Sequence, residues 1–162
     1  MRVYMAGPMF TAADKAWNLG LARRLRGHGF GVFCPNESEP NEDTTRETVT
    51  ARLIYDVDIA ALESCNVVLM QVSEDSGANW EAGYFDCLSR RVDPARYYGI
   101  VGLATDFRLH ATPDPLRRGM ENQAPHVNAL VAGGLQASLG AFLREEDAIA
   151  RLLEVRMERE GG

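Results

Sequence analysis

The sequence has no GxGxxG fingerprint and no GxxxxGK[ST] loop, so the two common glycine-rich cradles for dinucleotides and nucleotide phosphates are missing. No apolar run approaches the roughly 18–20 residues of a membrane span, and the opening MRVYMAGPMF is too short for a secretory signal. Positive charge is not in excess. A net charge of −6 argues against a nucleic-acid backbone or an anionic membrane as the main partner. Cysteine is scarce: Cys34, Cys65 and Cys87 form no CxxC, and their odd number does not close into pairs. Each lies among apolar residues and is expected to be a buried free thiol. His28, His110 and His126 show no metal-ligand spacing, so no metal is expected. These absences leave a cytoplasmic protein with room for a small ligand in a local pocket.

With 162 residues, 46% hydrophobic and 25% charged, the chain suits one globular domain over residues 1–162. Its patterns alternate between strand and helix. RVYMA (2–6) reads as a strand. Residues 14–27 repeat Trp17, Leu21 and Leu25 at helical spacing, with Asp14 as N-cap and Gly29 as terminator. FGVFC (30–34) is the next strand, and the polar PNESEPNEDT is a loop. Residues 45–64 read as a long helix, NVVLMQ (66–71) as a doubly buried strand, 78–90 as a helix capped by Ser76, and YYGIVGLA (97–104) as a fourth strand. Residues 124–139 read as a short helix and an edge strand, and 141–160 as an amphipathic helix. The alternation predicts a three-layer α/β sandwich, flavodoxin-like or Rossmann-like, around a mainly parallel sheet.

In such folds ligands sit outside the carboxyl ends of the strands. That rule selects the loops AGPMF, CPNES, VSEDSG and ATDFR. Gly7 permits close approach of a ligand and Pro8 stiffens the turn; ordinary turn chemistry accounts for both equally well. In DSGANWEAGYFD, Glu81 falls near a helix start, where the dipole favours an ionised carboxylate suited to nucleophilic attack. Gly77 leaves room beside it. Asp75 lies at the mouth of the crevice and Asp58 on the preceding helix. Three converging carboxylates push their pKa values apart, giving an ionised nucleophile and a protonated acid, the pairing of retaining glycosyl transfer. The plainer alternative makes Asp75 a helix cap, Glu81 a partner of the dipole and Asp58 a solvated charge. Tyr4, Phe10 and Trp80 gather at the same loops, where a flat heteroaromatic ligand would stack on them. Core packing is the competing account for Tyr4 and Trp80.

The segments VYMAGPMF, FCPNES, YDVDIAALESCNVVLMQ and DSGANWEAGY together resemble the nucleoside 2-deoxyribosyltransferases, over roughly residues 2 to 135. The resemblance implies a flavodoxin-like fold and exchange of the base of a 2'-deoxynucleoside for another free nucleobase, without metal or cofactor. It implies double displacement with retention through a covalent glycosyl-Glu81 intermediate, with slow hydrolysis as a side reaction. Tyr4 matches the tyrosine that orients that carboxylate. Asp75 and Asp58 match the aspartates at the base, with Asp75 as proton donor, and Phe10 matches the aromatic residue packed on it. Asn128, in HVNALV, matches the asparagine that a neighbouring subunit lends to the sugar 5'-hydroxyl, so a homo-oligomer is expected. The chain departs from the family pattern at Asn66, where Asp is frequent, and at Phe85, where a small residue is usual. Asp106 and Arg108 resemble an Asp-x-Arg loop bordering the site. Two alternatives remain: an N-glycosidase acting on nucleoside 5'-monophosphates, and a non-catalytic nucleotide-binding module.

Overall fold

The strands are short runs of Val, Ile, Leu and Met, residues whose bulk suits a pleated, buried surface. The computed structural model describes residues 1–42, 45–106 and 127–161. It contains five strands among them: β1 (Arg2–Ala6), β2 (Gly31–Phe33), β3 (Val67–Gln71), β4 (Gly99–Leu103) and β5 (Ala141–Phe142). All pair in parallel, in the order β2-β1-β3-β4-β5. This is the flavodoxin-like winding, in which the strand order reverses between β1 and β3 and opens a crevice at their carboxyl ends.

Side chains alternate along each strand and feed two cores. Val3, Met5, Val67, Leu69, Val101 and Leu103 point to the layer of α1 (Ala12–Gly27) and α6 (Glu145–Glu160). Tyr4, Ala6, Val68, Met70 and Ile100 point to the layer of α3 (Ala51–Ser64), α4 (Ser76–Cys87) and α5 (Ala129–Gln136). The period of two therefore decides that Tyr4 faces α4. Phe85, on α4, is fully buried and meets Tyr97 edge to face at 5.6 Å between ring centroids. Burial of such a ring stabilises the layer by roughly 2–3 kcal/mol. The bulk that sets this position apart from the family pattern is thus core filling.

Several element ends differ from the sequence reading, each for a local reason. Thr11, not Asp14, caps α1: its hydroxyl accepts the Asp14 amide while Asp14 accepts the Thr11 amide, a capping box. Gly29 does terminate α1, with φ of +81°. The expected 45–64 helix begins only at Ala51, where Thr50 caps it through the Leu53 amide. The preceding loop contains a 3-10 turn (Pro35–Glu37) and a four-residue helix, α2 (Glu39–Glu42). Asp75 rather than Ser76 caps α4, its Oδ2 accepting from the Ala78 amide at 2.7 Å. α4 ends at Cys87 and runs into a π-helical turn over Leu88–Val92. The edge strand expected before residue 140 is β5, and the last helix starts at Glu145.

One further expectation is corrected, and one departure from the family pattern is explained. Cys34 and Cys65 are buried, but Cys87 is exposed, because it ends α4 on the side away from the sheet. Asn66 is structural: its Oδ1 accepts from the Arg2 amide at 2.9 Å and its Nδ2 donates to the Arg96 carbonyl at 3.2 Å. These bonds fasten the amino ends of β1 and β3, the pole opposite the crevice.

Candidate active site

A cavity of about 590 Å³ opens at the carboxyl ends of β1 and β3, where the winding reverses. That volume suits a ligand of nucleoside size. The β1–α1 loop and the start of α1 supply Gly7, Phe10 and Lys15. The other layer supplies Asn41, Asp58, Asp75, Gly77 and Glu81. The structure thus brings together six of the residues singled out from sequence, with Tyr4 directly behind them.

Tyr4 is fully buried, stacked on Phe33 at 5.2 Å. Its hydroxyl donates to Oε1 of Glu81 at 2.7 Å. Glu81 is the sixth residue of α4 and lies past the first turn, where the dipole acts. The sequence expectation of a carboxylate kept ionised by the helix start is therefore corrected. Burial pushes the Glu81 carboxyl up to about 8 from an ordinary 4.5; the Tyr4 hydrogen bond opposes the shift, and Asp58 and Asp75 add to it. Burial first, then the neighbouring carboxyls, also raise Tyr4, so it stays a phenol and a donor.

Asp58 reaches the cavity from α3. Burial raises its pKa, partly offset by the Nδ2 of Asn41, which donates to Asp58 Oδ1 at 3.0 Å. Asp75 combines two duties that the sequence reading kept apart, lining the cavity and capping α4. Asn79 braces the same loop by donating to the carbonyls of Asp75 and Ser73 at 2.7 and 3.2 Å.

The aromatic residues separate. Phe10 lines the cavity with 83% of its surface exposed, available for stacking. Trp80 is 68% exposed and does not line the cavity, since it projects from the outer face of α4. Asn128 is exposed and caps α5 by accepting from the Leu130 amide at 2.9 Å, outside its own chain's cavity. Asp106 does not line the cavity either, and Arg108 lies outside the described residues.

Sequence reasoning missed a brace behind the β1–α1 loop. The buried Asn18 Nδ2 donates to the Pro8 carbonyl at 3.0 Å and to Asn36 Oδ1 at 2.8 Å, and Asn36 Nδ2 donates to the Met9 carbonyl at 3.3 Å. Asn18 shares the apolar stripe with Leu21, Ala22 and Leu25, and a polar residue in that stripe was the available signal. Lys15 and Asn41 were also missed, because nothing in their spacing sets them apart. Among the described residues no group of three His, Cys, Asp or Glu side chains converges to hold a metal ion.

Comparison with known proteins gives a consistent family. Residues 3–134 match the family model described as nucleoside 2-deoxyribosyltransferase. An uncharacterised protein of Ureaplasma parvum serovar 3 is 28% identical over 120 residues, spanning 68% of this chain and 73% of that one. A conserved protein from Enterococcus faecalis V583 has the same fold, with a TM-score of 0.77 at 20% identity over 95% of this chain and 98% of that one. So does a 2-deoxyribosyltransferase from Leishmania mexicana, with a TM-score of 0.61 at 18% identity over 94% and 97% of the two chains.

Proposed function

As this chain belongs to the nucleoside 2-deoxyribosyltransferase family, we propose that it moves the 2-deoxyribosyl group of a 2'-deoxynucleoside to another free nucleobase through a glycosyl ester on Glu81. The observation that carries this reading is the 2.7 Å bond from Tyr4 to Glu81 beside a nucleoside-sized cavity. A buried carboxylate held by one phenol is poorly solvated and aimed, which suits attack on an anomeric carbon.

In the first step the C1'–N bond breaks and its electron pair goes to the base nitrogen. A Glu81 oxygen forms the new C1'–O bond. The base takes a proton from Asp58, whose Oδ1 is held by Asn41 and whose burial favours the protonated form. Asp75, the donor expected from the sequence, fixes the start of α4 through its Oδ2 and lines the cavity together with Asp58 and Glu81. In the second step a base nitrogen attacks C1', the ester bond returns its electrons to Glu81, and the proton of the incoming base returns to Asp58. Two inversions give retention. Water in place of the second base gives slow hydrolysis. The substrate lacks a 2'-hydroxyl, so its oxocarbenium-like transition state is easier to reach.

The deciding experiment mixes the protein with 2'-deoxyinosine and adenine and separates the products. New 2'-deoxyadenosine with equimolar hypoxanthine is expected. Hypoxanthine and free 2-deoxyribose alone would replace transfer by hydrolysis, and no reaction even with 2'-deoxynucleoside 5'-monophosphates would sink the enzyme reading.

A further inference from the structure

We infer that Lys15 reads the nucleobase, selecting one that carries a carbonyl oxygen rather than an amino group on the edge remote from its glycosidic nitrogen. The inference rests on the base-exchange reading and names the substrate class of that site. Lys15 is the single lysine of the sequence and the one cation among the described residues lining the cavity. The ionisable groups opposite it are Asp58, Asp75 and Glu81, on the α3 and α4 layer. Among the described residues no carboxylate lies within ion-pair distance of its ammonium, although such pairs tie Arg24 to Glu145 and Arg26 to Glu37 on the same helix.

The layout orders the ligand. With the anomeric carbon at Glu81, the base extends across the cavity to Phe10, the one aromatic ring among the described lining residues. Lys15 lines the same cavity from the first turn of α1, five residues after Phe10, its amide bonded to the Thr11 carbonyl at 3.0 Å. It therefore meets the far edge of a base stacked on Phe10. An ammonium has three donors and no acceptor. It bonds the O6 of a 6-oxopurine or the O4 of a 4-oxopyrimidine and repels the amino hydrogens of adenine or cytosine. Asn36, which could have read either, already has its amide engaged by Asn18 and the Met9 carbonyl. A phosphate is a poorer occupant, because the same cavity presents three carboxyl groups to a dianion.

The test compares kcat/KM for hypoxanthine and adenine as acceptors, and for uracil and cytosine, in the wild type and in Lys15→Met, Lys15→Gln and Lys15→Arg. A charge-assisted bond predicts that the oxo-to-amino ratio falls roughly ten- to a hundredfold in the first two and is largely kept in Lys15→Arg. Lys15 is exposed, and circular dichroism checks that the variants fold. An unchanged ratio overturns the inference; so does an unchanged ratio with selective loss of activity on 5'-monophosphates, which would make Lys15 a phosphate ligand. If the wild type exchanges no bases, calorimetric titration with hypoxanthine and adenine separates the two readings. A Lys15-dependent preference for hypoxanthine keeps the inference while the transfer reading fails, and its absence ends both.

Discussion

The Tyr4 hydroxyl and the Glu81 carboxyl share a 2.7 Å hydrogen bond that links the middle of β1 to the second turn of α4. The bond opposes the desolvation that pushes Glu81 up to about 8. In Tyr4→Phe that opposition is gone, so the Glu81 pKa climbs further. The rising limb of kcat/KM against pH should move to higher pH, with activity at neutral pH down about tenfold per unit moved. A limb that stays in place would show that another group controls it.

Folding should report the same carboxyl. Its folded pKa of about 8 stands above the ordinary 4.5, so the native state holds a proton that the unfolded chain has released between those values. The associated stability is complete below about pH 4.5 and drains away as pH rises through about 8, by about 3–5 kcal/mol at most. Glu81→Gln should flatten that slope and raise the denaturation midpoint at pH 8 to 9, while turnover drops at least a thousandfold. Equal slopes for variant and wild type in urea titrations would contradict the assignment.

Asp58→Asn removes the proposed proton donor while keeping a partner for Asn41. Exchange from 2'-deoxyinosine should slow by about 10²–10³. A donor such as 7-methyl-2'-deoxyguanosine, whose base leaves without a proton, should lose far less. Equal losses on both would assign Asp58 a purely structural part.

Gly7→Ala tests the close approach of β1 to β3. A Cβ there would lie 3.0 Å from Gln71 Cβ and 3.1 Å from its Oε1, an oxygen already buried without a donor among the described residues. The clash should cost about 1–3 kcal/mol in thermal or urea denaturation and raise KM, since the displaced loop carries Phe10. A variant of unchanged stability and KM would mean that Gln71 gives way freely.

Much of this was legible in the sequence because it depends on local pattern. The resemblance of VYMAGPMF named Tyr4 as the partner of Glu81, and the DSGANWE segment placed Asp75, Gly77 and Glu81 on one loop and helix. What the pattern hid depends on packing at a distance. A helix dipole suggests an ionised Glu81, but burial between α4 and β1 outweighs it. Trp80 neighbours Glu81 in sequence yet points away, since adjacent helical residues face directions about 100° apart. Asn18 meets Asn36, and Asn41 meets Asp58, only once α1, the loop after β2 and α3 fold together.

The sheet ends in a three-residue β2 on one side and a two-residue β5 on the other. Edges so short offer another strand only a bond or two, too few to template cross-chain pairing or fibre growth. The described rims are therefore poor sites for extending the sheet from one molecule to the next. Any assembly of several copies has better purchase on the outer faces of the helices, where Tyr55, Trp80 and Leu130 stand exposed.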